Sequence, residues 1–296
     1  MTERFFEFLK EQDVKFHRKC KLSQYSTIGI GGFATVVMPS STDKFVSVMN
    51  FLHSNDFDCK VVGRTSNILF PDTNVDSVII KTTNINSFSV SRGVLFSECG
   101  ASFSNIIIKL ASLGYGGFEE LYRIPGTVGG MIFQNAGAYS STISDRLIDA
   151  EVYLDGEILR FTKEELSFSY RSSALSKSGG ILLSARFSLI EDAPDNIFKK
   201  LAEINEKRNK NQPFDKRSLG SVFKRMDGVP VSMLIDKAGL KGKGIDGAKI
   251  SDKHAGFIIN DGTATAKDVI ALIRLIKSTL FYHYGIVPEL EIEIFK

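Results

Sequence analysis

Two stretches of this 296-residue chain are poor in side chains and rich in backbone donors. In "VVGRTSNILF", Gly63, Arg64, Thr65, Ser66 and Asn67 directly follow a strand pattern, with no helix signal after them. In "IPGTVGGMIFQNAGAY", Pro125 fixes one dihedral, and Gly126, Thr127, Val128, Gly129 and Gly130 follow it; Asn135, Gly137 and Ala138 repeat the texture. Backbone N–H groups in such turns can form an anion-binding nest, with Ser and Thr hydroxyls as further donors. Glycines permit positive φ and close approach of a flat or anionic group. Taken singly, the first stretch reads as a strand-connecting turn, and the second has a tight β-rich corner with bulges as its alternative. Together, about sixty residues apart, they suit one elongated ligand held between two small domains. A dinucleotide such as FAD has that shape.

Other chemistries find less support. "GIGGFA" (Gly29 to Ala34) and "GKGIDG" (Gly242 to Gly247) imitate the dinucleotide fingerprint. That motif needs a strand before it and a helix after it, so that a helix N-terminus meets the pyrophosphate. The first precedes a strand and the second follows a helix, so a Rossmann fold is rejected. Four scattered histidines and three distant cysteines, Cys20, Cys59 and Cys99, show no metal-ligand spacing. No metal is expected, and the thiols read as reduced and structural. A net charge of +3 argues against a nucleic-acid partner. Between Lys199 and His254, however, fourteen Lys or Arg face seven Asp or Glu, an excess that suits phosphates or simply a solvated face. No apolar run reaches membrane-spanning length, and "MTERFFEFLKEQ" lacks the apolar core of a signal peptide. A cytoplasmic protein with no membrane partner is expected.

The elements that must position these loops follow a β-α-β-β order to about residue 82. They are a short N-terminal helix, the strand "FATVVMPS", a helix from Ser41 with Phe45, Val46, Met49 and Leu52 apolar, and the strands "DCKVVG" and "DSVIIKTT". Paired strands then dominate, including a hairpin at Asp155-Gly156, interrupted by the helix "SFSNIIIKLASLG". A helix with Ile197, Phe198, Leu201 and Ile204 on one face ends at Pro213. The last third reads as strand "GSVFK", helix "PVSMLIDKAG", strand "GFIIN", a long helix and the strand "LEIEIF". The class is α+β, in segments 1–82, 83–213 and 214–296.

Eight ordered motifs over roughly residues 22–295 carry a resemblance. They are "STIGIGG", "VVGRTSNIL", "GGFEELYRIPGTVGGMIFQNAGAY", "SYRSSAL", "RNKNQPFDKRSLGSVFKR", "LIDKAGLKG", "ISDKHAGFIIN" and "PELEIEI". Together they resemble the UDP-N-acetylenolpyruvoylglucosamine reductases, flavoenzymes of bacterial peptidoglycan precursor synthesis. The resemblance implies two N-terminal domains of the vanillyl-alcohol-oxidase type clasping non-covalent FAD, and a C-terminal domain binding a UDP-sugar. It implies NADPH as hydride donor; separately, a monomer is expected. Arg64-Thr65, Gly29 and Met226 depart from the usual pattern, and the inserted tyrosine loop of longer members is missing, as in the shorter class.

By motif position, Arg171 in "SYRSS" stabilises charge developing on the substrate carboxylate, Ser221 in "GSVFK" donates a proton, and Glu291 in "PELEIEI" is the catalytic carboxylate, with Glu289 second choice. Lys224 and Arg225, expected on one strand, would contact the diphosphate. His254 and Tyr139 stand at substrate-contacting positions, Tyr139 alternatively at the flavin edge and His254 equally a structural histidine. The alternatives are another FAD oxidase or dehydrogenase of the superfamily, and a flavin or nucleotide-sugar binder without catalysis.

Overall fold

The structure is a computed structural model and describes residues 2–226 and 228–295. Its contacts divide the chain into two units, each built from three separated pieces. The first comprises residues 1–18, 35–64 and 76–206; the second comprises 19–34, 65–75 and 207–296.

A four-stranded sheet runs in the order Lys15–Lys21, Phe33–Met38, Val78–Lys81, Cys59–Val62. Phe33–Met38 and Cys59–Val62 each pair parallel with Val78–Lys81, with Val36 opposite Ile79 and Val61 opposite Ile80. Parallel strands need a crossover, and the helix Thr42–Ser54 supplies it. Ser41 Oγ caps that helix by accepting the Lys44 N–H at 3.3 Å, and Phe45, Val48, Met49 and Leu52 bury one face. An apolar stripe at this spacing is what a helix needs to lie on a sheet.

The first unit also holds a five-stranded antiparallel sheet: Glu157–Thr162, Leu147–Leu154, Ile181–Ser188, Val94–Glu98, Phe88–Ser91. Asp155 (φ 52°) and Gly156 (φ 90°) turn its outer hairpin, the left-handed pair that Asp-Gly adopts readily. One apolar cluster joins Phe5, Val37 and Phe45 to Leu95, Phe103, Phe118 and Phe187. The expected segments 1–82 and 83–213 therefore share a core, because the helices of both segments bury their apolar stripes in it.

In the second unit the strands run Arg217–Ser221, Phe257–Asn260, Ala248–Ile250, Gly244–Ile245. The helix Ala266–Tyr284 starts at a capping box between Thr265 and Asp268 and stops at Gly285 (φ 69°). Val269, Leu272, Ile273, Ile276 and Leu280 are its buried face. Two early pieces of chain belong here. Asn260 Nδ2 donates to Ile28 O at 2.8 Å, and Ile68–Leu69 pairs parallel with Glu293–Ile294. The segment 214–296 thus builds its unit with residues 19–34 and 65–75, pairings across some two hundred residues that no local pattern reports.

Several expected elements differ in detail. Val128–Phe133 is a short helix, where the sequence showed only bare backbone. The strand expected at "GSVFK" ends at Ser221, and "LEIEIF" contributes only Glu293–Ile294. Phe198, expected on the buried face of its helix, is 43% exposed, because the stripe instead passes through Ile197, Leu201 and Arg208. Among the described residues no helix is long and apolar enough to cross a membrane.

Candidate active site

Within the first unit Gly63, at the head of the first side-chain-poor loop, meets the second loop. A Cβ on Gly63 would run into Thr127 Oγ1, so this glycine is required by the second loop. Cβ atoms on Gly129 and Gly137 would lie 3.2 Å from Cys99 O and 2.8 Å from Ser141 O, and one on Gly126 would lie 3.0 Å from Met131. Much of the bare backbone is therefore consumed by close approach of neighbouring chain. Several donors are consumed too: Val128 N–H goes to Ala101 O (3.0 Å), Gly129 N–H to Cys99 O (2.8 Å) and Gly130 N–H to Thr127 Oγ1 (3.3 Å). Buried backbone groups are paired in this way because an unpaired one costs about as much as a lost hydrogen bond. These three N–H groups are spent on neighbouring chain, as a tight corner requires.

Among the described residues of these two loops, one buried side-chain atom breaks the rule. Asn135, 6% exposed and at φ 42°, donates from Nδ2 to Ser169 O at 3.0 Å. That bond fixes the amide and leaves Oδ1 buried with no hydrogen-bond partner. A buried acceptor left unsatisfied costs roughly 1–3 kcal/mol unless a donor arrives.

Next to the first loop stands a residue that sequence reading missed. Lys81 is paired with Val62 across the strands, and its Nζ lies 2.8 Å from Thr83 Oγ1 and 3.5 Å from Gly63 O. Burial, then the charge of Arg64, pushes its pKa down to about 8. The available signal was a lysine closing the apolar run "VII", a cation where a buried strand ends.

Arg171 belongs to the same unit. Ser169 and Ser172 exchange N–H···O bonds of 3.0 and 3.2 Å, closing a tight turn in which Arg171 has φ 54°. Its Nη2 donates to Gly137 O at 3.0 Å, and its guanidinium stands over the Tyr170 ring at 5.0 Å. The structure thus brings Arg171 to the "NAGAY" segment. Tyr139, at φ 55°, is 53% exposed, and Ala138 pairs with Ser141 in a two-residue ladder.

The second unit gathers the other two expected catalytic residues. Ser221 ends its strand after Gly220 (φ 76°), where the register against Phe257–Asn260 shifts between Ser218 and Ser221. Such an irregularity re-aims the side chain that follows it. Glu291 N–H donates to Val222 O at 2.8 Å, so Glu291 lies beside the backbone that carries Ser221. Asn67 holds the same segment, with Nδ2 donating to Glu291 O at 2.9 Å and its own O accepting from Glu293 N–H at 2.8 Å. Asn67 therefore organises the site, while the Thr65 hydroxyl donates to Tyr25 O at 2.6 Å rather than outward. Glu289, Glu291 and Glu293, which alternate in "PELEIEI", are distinguished by burial. Glu291 is half-buried; Glu289 and Glu293 are exposed.

Lys224 and Arg225 lie beyond the strand, not on it. Lys224 Nζ pairs with Glu289 at 3.2 Å, and its N–H donates to Glu289 O at 3.0 Å. His254 accepts the Gly256 N–H on Nδ1 at 3.1 Å and packs edge-on against Phe257. It staples its own turn. Burial, helped by the charge of Lys241, lowers its pKa. The unfolded chain protonates near pH 6.5 while the folded chain resists, so this stabilisation is complete above about 6.5 and is lost as pH falls below it. Tm is expected to drop between about pH 7 and 5.5, and His254→Leu to flatten part of that drop; an unchanged Tm–pH slope in the variant would contradict the assignment.

Comparison with known proteins decides the affiliation. Residues 212–295 match the family described as UDP-N-acetylenolpyruvoylglucosamine reductase, C-terminal domain, and residues 33–162 match the FAD binding domain family. The chain is 37% identical to the UDP-N-acetylenolpyruvoylglucosamine reductase of Caldicellulosiruptor saccharolyticus, over 98% of this chain and 95% of that one. This chain belongs to the UDP-N-acetylenolpyruvoylglucosamine reductase family. The crystal structure of the family's reductase from Thermus caldophilus superposes with TM-score 0.84 at 30% identity, over 96% of this chain and all of that one. Berberine bridge enzyme from Eschscholzia californica shares the fold over 64% of the chain and covers 44% of that protein, at 14% identity and TM-score 0.51. The family assignment makes FAD the cofactor. The first unit fits it at Asn135, whose orphaned Oδ1 needs a donor that the N–H and hydroxyl groups of a flavin nucleotide can provide.

Proposed function

We propose that the chain reduces UDP-N-acetylenolpyruvoylglucosamine to UDP-N-acetylmuramate, with NADPH as electron donor. FAD, when bound, supplies the hydride chemistry between NADPH and C3 of the enolpyruvyl ether. The protein's own residues handle charge and the proton. Electron density moves toward the substrate carboxylate as C3 receives hydride. Arg171 pairs with that carboxylate as a planar, permanently charged, bidentate partner. Ser221 Oγ then gives its proton to C2 on one face, and Lys224 and Arg225 nearby in sequence favour the resulting alkoxide. Glu291 orients the substrate carboxylate by sharing a proton with it. Lys224 and Arg225 bind the diphosphate, where Lys224 must exchange its contact with Glu289 for a phosphate. Tyr139, exposed and left-handed, contacts the nucleotide; His254 supports its own turn.

For the cofactor, the reading assigns Gly63, Arg64, Ser66, Pro125–Gly130, Asn135, Gly137 and Ala138 as lining residues. Asn67 and Thr65 hold the adjoining backbone. The reading is supported by the Glu291 N–H to Val222 O bond, which lays the Glu291 backbone beside the residue that follows the strand-end Ser221, in a chain related over 98% of its length to these reductases.

Purified protein is expected to be yellow, and to oxidise one NADPH per UDP-enolpyruvyl sugar added. Flavin bands that bleach with NADPH and return on adding that sugar would support the reading. Protein that stays colourless after incubation with FAD would end it. Holoenzyme reoxidised by oxygen but not by the enol ether would favour the oxidase alternative.

A further inference from the structure

Three hydrogen bonds run between the segment 133–137 and the turn that carries Arg171. Ser173 Oγ donates to Phe133 O at 2.8 Å, Asn135 Nδ2 donates to Ser169 O at 3.0 Å, and Arg171 Nη2 donates to Gly137 O at 3.0 Å. Ser173 is 1% exposed, so its hydroxyl serves no solvent contact. Arg171 itself sits at φ 54°, a left-handed conformation that a residue with a side chain holds only when its surroundings impose it.

We propose that Ser173 is a positioning residue for the reductase reaction: with Asn135 it pins the Arg171 turn to the cofactor-lining segment, and so sets where the guanidinium stands. This rests on the catalytic role of Arg171 proposed above. The two pins fall on either side of Arg171, at 169 and 173. Remove one, and the turn can relax toward negative φ, carrying the guanidinium away. A displacement of about 1 Å at such a group costs on the order of 10²-fold in rate.

The test uses holoenzyme and separates the two half-reactions by stopped flow. Ser173→Ala should slow flavin reoxidation by the UDP-enolpyruvyl sugar about 10- to 100-fold, while flavin reduction by NADPH stays within about twofold. Calorimetry should show affinity for the reduced ether product weakened about as much as by Arg171→Met. Combined with Arg171→Met, the serine change should add almost nothing, because a pin has no effect once its cargo is gone. Ser173→Thr and Ser173→Val have nearly equal shape and differ in the hydroxyl, so Thr should be the faster of the two even where both disturb packing. Additive effects in the double variant, equal loss of both half-reactions, or Thr and Val behaving alike would each overturn the proposal. Should Arg171→Met leave reoxidation unchanged, the role of Arg171 fails first and this inference with it.

Discussion

Ser221→Ala should leave reduction of the bound flavin by NADPH near normal and slow its reoxidation by the enolpyruvyl substrate by about 10²–10⁴-fold, the range of a lost general acid. The asymmetry follows from where a proton is needed. In the proposed mechanism NADPH oxidation needs no proton from this residue, whereas hydride arrival at C3 would leave an enolate that is not product until C2 is protonated. The substitution removes a single oxygen from a half-buried position. The backbone there is held independently, by the register with Phe257 and by Val222, whose N–H donates to Gly256 O at 2.9 Å. Misfolding is therefore a poor explanation for any loss. Ser221→Cys keeps a donor whose ordinary pKa is near 8.5, and should retain part of the rate. Equal loss of both half-reactions, or an alanine variant as fast as the parent, would remove Ser221 from its role.

How Ser221 reaches its place also shows what the sequence could and could not tell. "GSVFK" announces a serine after a glycine, and a strand there was expected. It does not announce that the strand stops at Ser221, because the register shift depends on the partner strand some forty residues on. Helices with strong stripes and caps, such as Ala266–Tyr284, were legible from Thr265, Asp268 and Gly285 alone. The glycine-rich loops were legible as special but not in their purpose. Four glycines that permit close approach of a ligand also make room for Thr127, Met131, Cys99 and Ser141, which only the folded chain supplies. Asn135 and Asn67 were both singled out. Their actual tasks, one amide to Ser169 and the other to Glu291, are contacts across 34 and 224 residues. The catalytic assignments came from motif order, and the structure adds the neighbourhood of Ser221 and Glu291 within one unit.

That neighbourhood gives the second large effect. Glu291→Gln should lower the rate of flavin reoxidation by about 10²–10³-fold, again with flavin reduction by NADPH intact. Glutamine fills the same volume and can still hydrogen-bond a carboxylate, but it cannot share a titratable proton with one. The backbone at this residue is pinned on both sides, by its N–H to Val222 O and its carbonyl to Asn67 Nδ2. The loss would therefore report the carboxyl group rather than a displaced chain. Glu289 and Glu293 serve as controls because sequence spacing treats all three alike, whereas burial does not. Glu293→Gln, exposed on the short terminal strand, should change the rate by less than about twofold, the ordinary effect of a surface substitution. Glu289→Gln releases Lys224 from its ion pair and should alter KM for the UDP-sugar more than kcat. A glutamine at 291 that keeps the parent rate, while one at 289 abolishes it, would move the catalytic carboxylate two residues along the chain and with it the half of the site built on Val222.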